Sequence, residues 1–284
     1  MKKLIVSVAV LFFVVGVFGQ KKTPFVLYNS KGKKVSYKKM IRVLAQNDIV
    51  LFGEYHNNAI AHWLQLSVTK DLFEKRKLTL GAEMFERDNQ QALDHYLQGK
   101  INAKQLDSSA RLWKNYPTDY APLVNFAKEK NIPFTATNIP RKYASLVSKK
   151  GFTALDSLTA QEKSWMAPLP MAYDPELPGY KNMIAMMGGH GGENLPKAQA
   201  SKDATMAHFI LATQLPGSLF IHYNGSYHSE NYEGIGWYLA KSNPLLKIKT
   251  ITTVSQKNIQ KLEAENQNKA HYIICVDYDM TNTY

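Results

Sequence analysis

Asp48 to His56 reads Asp-Ile-Val-Leu-Phe-Gly-Glu-Tyr-His. Asp48–Phe52 is a short apolar, β-rich run, and it passes without a spacer into Gly53, Glu54, Tyr55 and His56. Ala59–Phe73 follows with Ile60, Trp63, Leu64, Leu66, Val68 and Leu72 at helical spacing, which predicts a helix with one broad apolar face. Apolar strand, polar turn, amphipathic helix is the opening of a βα unit. The pattern recurs along the chain. Strands are expected at Leu78–Met84, Ile132–Asn138, Ser218–Tyr223, Ile248–Val254 and His271–Tyr278, and helices at Gln90–Leu97, Leu123–Lys130 and Ala198–Leu211. Alternation of this kind predicts an α/β fold, with a mostly parallel central sheet flanked by helices on both faces. Residues 151–196, rich in Pro, Gly and Met, break the alternation and are expected to form an irregular or helical insertion.

The sheet reading places polar residues. Ligand crevices in open α/β sheets lie outside the carboxyl ends of the strands. The first strand ends in Glu54 and His56, the second at Glu83, the third at Asn138 with Pro140 and Arg141 following, and the fourth runs into Asn224, Gly225, Ser226, Tyr227 and His228. Gly53/His56 and Gly225/His228 repeat one G-x-x-H spacing, in which glycine lets the chain turn sharply and aim the imidazole back over the sheet edge. Two His and two Glu converging there, Glu54, His56, Glu83 and His228, are expected to make either a divalent-metal site or an acid–base site. Taken singly, Glu54 also suits the N-terminus of the next helix, and Asp203 either reaches the crevice or caps its own helix. His62, six residues from His56, reads as structural, and His222 as packed within its strand.

Composition narrows the chemistry. The 284 residues carry 35 Lys+Arg against 23 Asp+Glu, a formal charge of +12. Only Arg42, Arg76, Arg87, Arg111 and Arg141 are arginines, the lysines are scattered, and no nucleic-acid motif appears, so no nucleic-acid partner is expected. The basic surface suits small anionic ligands or peripheral contact with a membrane. The single cysteine, Cys275, excludes an internal disulfide framework and thiolate zinc sites. Met183, Met186 and Met187 lead into a glycine-rich loop around His190. Met, His and Tyr are recognised haem ligands. His190 is the loop's best ligand candidate, and of the 16 tyrosines Tyr55, Tyr116, Tyr173, Tyr227 and Tyr232 fall near the expected crevice or its cover.

The ordered set Gly53-Glu54-Tyr55-His56, Gln65, Gly81-Ala82-Glu83-Met84-Phe85 with Arg87 and Gln90 resembles the ChaN-like haem-binding uptake proteins. The likeness continues through Trp113, Tyr120 to Leu123, Ala136 to Arg141, Ala198-Gln199 with Asp203, and Gly225-Ser226-Tyr227-His228. It implies the α/β fold of the Tiki metalloproteases and erythromycin esterase-like enzymes, and a role in haem and iron acquisition. Haem is then the expected cofactor. His190, Arg141, Tyr116 and Tyr173 are candidate haem-binding residues, with Arg141 or Lys near the propionates. A homodimer sharing a haem pair is implied by the resemblance alone. The Tiki likeness implies the alternative, a divalent-metal-dependent hydrolase on His56, Glu83 and His228 with Glu54 as general base. A surface interaction protein with a relic crevice is the third reading.

Lys2 and Lys3 precede an apolar stretch from Leu4 to Phe18, and Gly19 supplies a small residue before Gln20. This is the three-part pattern of a secretory signal, and the stretch is shorter than the ~20 residues of a membrane span. No cysteine stands near the cleavage point, so lipidation there is not expected. The reading is a signal peptide at 1–19 and one exported, periplasmic or secreted domain at 20–284. Intact mass of the exported protein is expected to begin at Gln20, and a species retaining Met1 would refute cleavage.

Overall fold

The computed structural model describes residues 23–186 and 192–284. The expected signal peptide and His190 lie outside these residues. Seven strands form one sheet: β1 (Phe25–Asn29), β2 (Ile49–Glu54), β3 (Leu78–Glu86), β4 (Phe134–Asn138), β5 (Leu219–Gly225), β6 (Ile248–Gln256) and β7 (Tyr272–Asp277). Their spatial order is β1-β7-β6-β2-β5-β3-β4. All neighbouring pairs are parallel except β1 with β7. The sheet is thus mixed and mostly parallel. The antiparallel edge strand β1 has no counterpart in the sequence reading, because five half-buried residues at an edge carry no sustained period.

The helices are α1 (Tyr37–Leu44), α2 (Ala59–Phe73), α3 (Gln90–Leu97), α4 (Ala103–Ser109), α5 (Ala121–Lys130), α6 (Arg141–Lys150), α7 (Ala160–Lys163), α8 (Pro178–Met186), α9 (Asn194–Thr213) and α10 (Ile235–Ser242). Alternation along β2 divides the two layers, since successive strand side chains point to opposite faces. Val50 and Phe52 pack with Met40, Leu64, Val68, Leu72, Leu93 and Val124 of α1, α2, α3 and α5. Ile49 and Leu51 pack with Val147, Met206, Ile210 and Leu239 of α6, α9 and α10. Residues 151–186 hold a 3₁₀ turn at Phe152–Leu155, α7, an extended stretch and α8. Met166 and Met171 from this part are buried in the second core.

One helix differs from its expected face. Trp63 of α2 is 55% exposed and packs only on Phe25 at the sheet edge, with ring centroids 6.0 Å apart. The buried face is Ala61, Leu64, Val68 and Leu72, and it also carries His62, Gln65 and Thr69. A helix that buries polar groups needs partners for them, and the site supplies these.

Topology selects the position of that site. The chain leaves β2 through α2 on one face toward β3, and leaves β5 through α10 on the other face toward β6. β2 and β5 are neighbours, so their connections diverge between them. This is a topological switch point, where an open α/β sheet leaves a crevice at the strand carboxyl ends. Both G-x-x-H segments start there, with Glu54 in register with Gly225.

Candidate functional site

The first half of the site is built on Glu54, the last residue of β2 and only 1% exposed. A buried carboxylate needs donors. Its Oε2 accepts from Gln65 Nε2 at 2.5 Å and its Oε1 from the Tyr120 hydroxyl at 2.6 Å. His56 Nδ1 lies 2.9 Å from Oε1, and His62 Nδ1 3.5 Å from Oε2. Burial and the neighbouring Glu54 charge hold the Tyr120 phenol protonated, as its donor role requires. Glu54 is not a helix cap; Asn58 fills that position on α2, accepting from the Ala61 N–H at 2.9 Å. Around it, Asn115 Nδ2 donates to the His56 carbonyl at 2.9 Å and to Asp119 Oδ2 at 2.7 Å. His62 Nε2 meets the same His56 carbonyl at 3.1 Å.

The second half is built on Glu83 and His228. Glu83 Oε2 accepts the Gly225 N–H at 2.7 Å, and Oε1 lies 3.2 Å from His228 Nε2. The other ring nitrogen of His228 meets Asp203 Oδ1 at 2.5 Å, and the Tyr180 hydroxyl donates to Asp203 Oδ2 at 2.9 Å. Burial alone would lower the His228 pKa. The charges and bonds of Glu83 and Asp203 outweigh it and push the value up to about 10. Burial alone would raise Glu83, but the His228 charge and bond, His56 and the Gly225 N–H hold it well below the usual carboxylate range. His228 is therefore an imidazolium clamped between two carboxylates.

The two halves meet at Gly225. A Cβ there would stand 2.8 Å from His56 Cε1, 2.9 Å from its Nε2 and 3.5 Å from Glu83 Oε2, so the site requires glycine. His56 itself is open: its side chain is 38% exposed and its ring sits edge-on to Trp113 at 4.9 Å. Burial works against its charge, but the Glu54 bond and the Glu83 and Glu54 charges prevail and raise its pKa. Among the described residues its Nε2 has no hydrogen-bond partner.

The structure thus gathers Glu54, His56, Glu83 and His228 at one sheet edge. Among the described residues no group of three or more His, Cys, Asp or Glu is placed to hold a metal ion. Both nitrogens of His228 face carboxylates, and Glu83 is met by His228 and by a backbone N–H. Asp203 reaches the crevice rather than serving only its helix. His62, expected to be structural, joins the Glu54 network with Gln65 three residues on, a same-face spacing on α2. Tyr180 and Asp119 carry no sequence signal for their roles, since α8 and the Tyr116–Tyr120 π turn reach the site only through tertiary packing.

The other expected residues divide. Arg141 opens α6 at the rim of a cleft of about 930 Å³, lined also by Leu112, Trp113, Pro140, Lys142 and Tyr284. Among the described residues Arg141 forms no ion pair. Tyr116 is buried edge-on against Phe85, and burial raises its pKa, so its phenol belongs to the core. Tyr173 stacks on Tyr180 at 5.7 Å and touches the network only through it. Tyr227 donates to the Gly179 carbonyl. Tyr232 packs on His271, which precedes β7, away from the strand carboxyl ends. Tyr55 is 39% exposed directly beside His56.

The family model described as haem-binding uptake, Tiki superfamily, ChaN matches residues 40–239. The chain belongs to this ChaN family. The ChaN fold is also what its solved neighbours share. ChaN of Campylobacter jejuni, in a structure describing cofacial haem binding, is 17% identical with a TM-score of 0.66, over 88% of this chain and 96% of that one. An erythromycin esterase, EreC, in its open conformation is 9% identical with a TM-score of 0.53, over 90% of this chain and 98% of that one. A Bacillus cereus protein is 13% identical with a TM-score of 0.52, over 89% and 94%. At these identities the likeness is one of fold. No curated protein matches the chain.

Stability is expected to follow the His228 clamp. Its native pKa is raised above the ordinary 6.5, so the stabilisation is complete below about pH 6.5 and is lost as pH rises toward about 10. Glu83 is depressed, so its share is lost as pH falls below 4.5. Urea unfolding at stepped pH should show both flanks. His228→Gln should cost about 3–5 kcal/mol near pH 7, because two buried carboxylates lose their cation, and should flatten the alkaline flank. An unchanged alkaline flank in that variant would sink the assignment.

Proposed function

We propose that this protein is a haem-binding protein of iron or haem acquisition and that haem lies in the cleft beside His56. The observation that carries the reading is the cleft itself, in a chain of the haem-binding uptake family. Its volume lies within the roughly 300–1,000 Å³ of small-molecule and cofactor sites. Leu112, Trp113 and Pro140 offer apolar surface to a porphyrin, and Arg141 and Lys142 offer cations to its propionates. Haem bound there would supply an iron that a phenolate or imidazole would hold. Tyr55 and His56 are exposed protein groups at the strand ends that suit that role, and Glu54 holds the His56 ring as carboxylates hold metal-ligating histidines elsewhere. The pattern at residues 1–19 supports export, and none of the described helices is long and apolar enough to cross a membrane.

Hemin titration of the mature protein, read in the Soret region, is expected to saturate at an integer ratio. Arg141→Glu should weaken binding about tenfold, the worth of one charge-assisted contact. A non-saturating response in the wild type would remove the proposal.

One observation favours a second reading, metal-free hydrolysis. His56 has Nδ1 on Glu54, an unpartnered Nε2 and access to solvent, which is the arrangement of a general base. Turnover of a p-nitrophenyl ester would then survive chelation and fall about 10²–10⁴-fold in His56→Ala. Turnover abolished by EDTA, or unchanged in the variant, would exclude it.

A further inference from the structure

Residues after β7 return to the site. Met280 N–H donates to the Asp277 carbonyl at 3.1 Å, turning the chain back, and Asn282 forms an antiparallel bridge with Asn58, the cap of α2. Thr283 pins the segment twice. Its N–H donates to the Asn57 carbonyl at 2.9 Å, and its hydroxyl donates to Asp119 Oδ2 at 2.7 Å. Asp119 is 4% exposed and belongs to the network that carries His56, through Asn115 and His62. The strap is therefore tied to the site's own buried polar groups rather than to a passing surface. Its next residue, Tyr284, is 65% exposed and lines the cleft with Trp113, Arg141 and Lys142. An aromatic ring this exposed is not there for the core.

We infer that residues 279–284 form a strap that supplies one wall of the ligand cleft, with Tyr284 packing against a bound planar macrocycle opposite the basic rim. The inference rests on the haem reading and adds to it a binding residue outside the span 40–239 that the family model matches. Thr283 acts as a positioning residue: it fixes the strap, and Tyr284 makes the contact. Because the ring contributes by packing, the contact does not depend on iron. Because one of the two pins is a hydroxyl on Asp119, removing that hydroxyl loosens the strap while the backbone tie to Asn57 remains.

The test uses the mature protein with two probes, hemin and iron-free protoporphyrin IX, each titrated against the wild type, Tyr284→Ala, Tyr284→Phe and Thr283→Val. These side chains lie outside the core, so folding is preserved and is checked by the unchanged unfolding midpoint. Tyr284→Ala and Thr283→Val are expected to weaken both probes by about three- to tenfold, the worth of one aromatic packing contact, and Tyr284→Phe to bind both as the wild type does. Thr283→Val should also speed amide exchange at residues 282–284. Wild-type binding left unchanged by Tyr284→Ala overturns the strap while leaving the haem reading intact. Loss confined to hemin, with Tyr284→Phe as weak as Tyr284→Ala, overturns the packing role in favour of an iron-directed phenol. Absence of binding of either probe by the wild type overturns both readings.

Discussion

A proton-bearing imidazole between two buried carboxylates holds this molecule's working edge together. His228 reaches Glu83 on β3 with one nitrogen and Asp203 on α9 with the other. It thereby ties the end of β5 to the neighbouring strand β3 and to helix α9. An unpaired charge at this depth would be untenable, and the three groups satisfy one another. Other features follow from that clamp. Gly225 must lack a Cβ because one would stand 2.8 Å from His56 Cε1. Gly234, at φ +54°, must lack one because a Cβ would stand 2.3 Å from the His228 carbonyl oxygen. Tyr180 brings α8 onto the clamp through Asp203.

The two G-x-x-H segments look alike in sequence and do different work. At His228 both ring nitrogens are consumed, the side chain is 7% exposed, and the residue is a strut. At His56 one nitrogen is anchored on Glu54, the other is unpartnered among the described residues, and the side chain faces solvent beside Trp113. The difference lies in the second carboxylate. Asp203 stands over His228, whereas Trp113, an aromatic edge, stands over His56. The exposed imidazole at this edge is that of His56, next to the cleft.

The same sheet underlies ChaN of Campylobacter jejuni and an erythromycin esterase, so the architecture alone does not choose between binding and catalysis. The features that favour a macrocycle here lie outside the carboxylate–histidine network: apolar walls, an arginine at the rim without an ion pair among the described residues, and Tyr284 on the cleft wall. A buried network that fixes His56 serves either purpose, because both need an imidazole held in one orientation.

The apolar runs by themselves determined six of the seven strands, since a strand buried on both faces reads as a continuous apolar segment whatever surrounds it. They also placed Glu54, His56 and His228 at strand ends, because a parallel sheet sends every carboxyl end to one edge; Glu83, expected to end its strand, lies inside β3, which runs on to Glu86 past an irregularity in its pairing with β4. Only the tertiary structure decided what those residues are to one another. That His228 meets a second carboxylate depends on Asp203, which lies 25 residues away on another layer. Whether Trp63 or His62 of α2 faces inward depends on which polar groups the site can satisfy, and hydrophobic period alone put the wrong side chain inside. The contribution of Thr283 and Tyr284 was invisible for the same reason: a short polar segment has no pattern of its own, and its place is set by hydrogen bonds to residues 57 and 119. Local periodicity encodes burial, which is a property of one segment. Pairing of charges and donors is a property of several segments together, and is fixed only once the chain has folded.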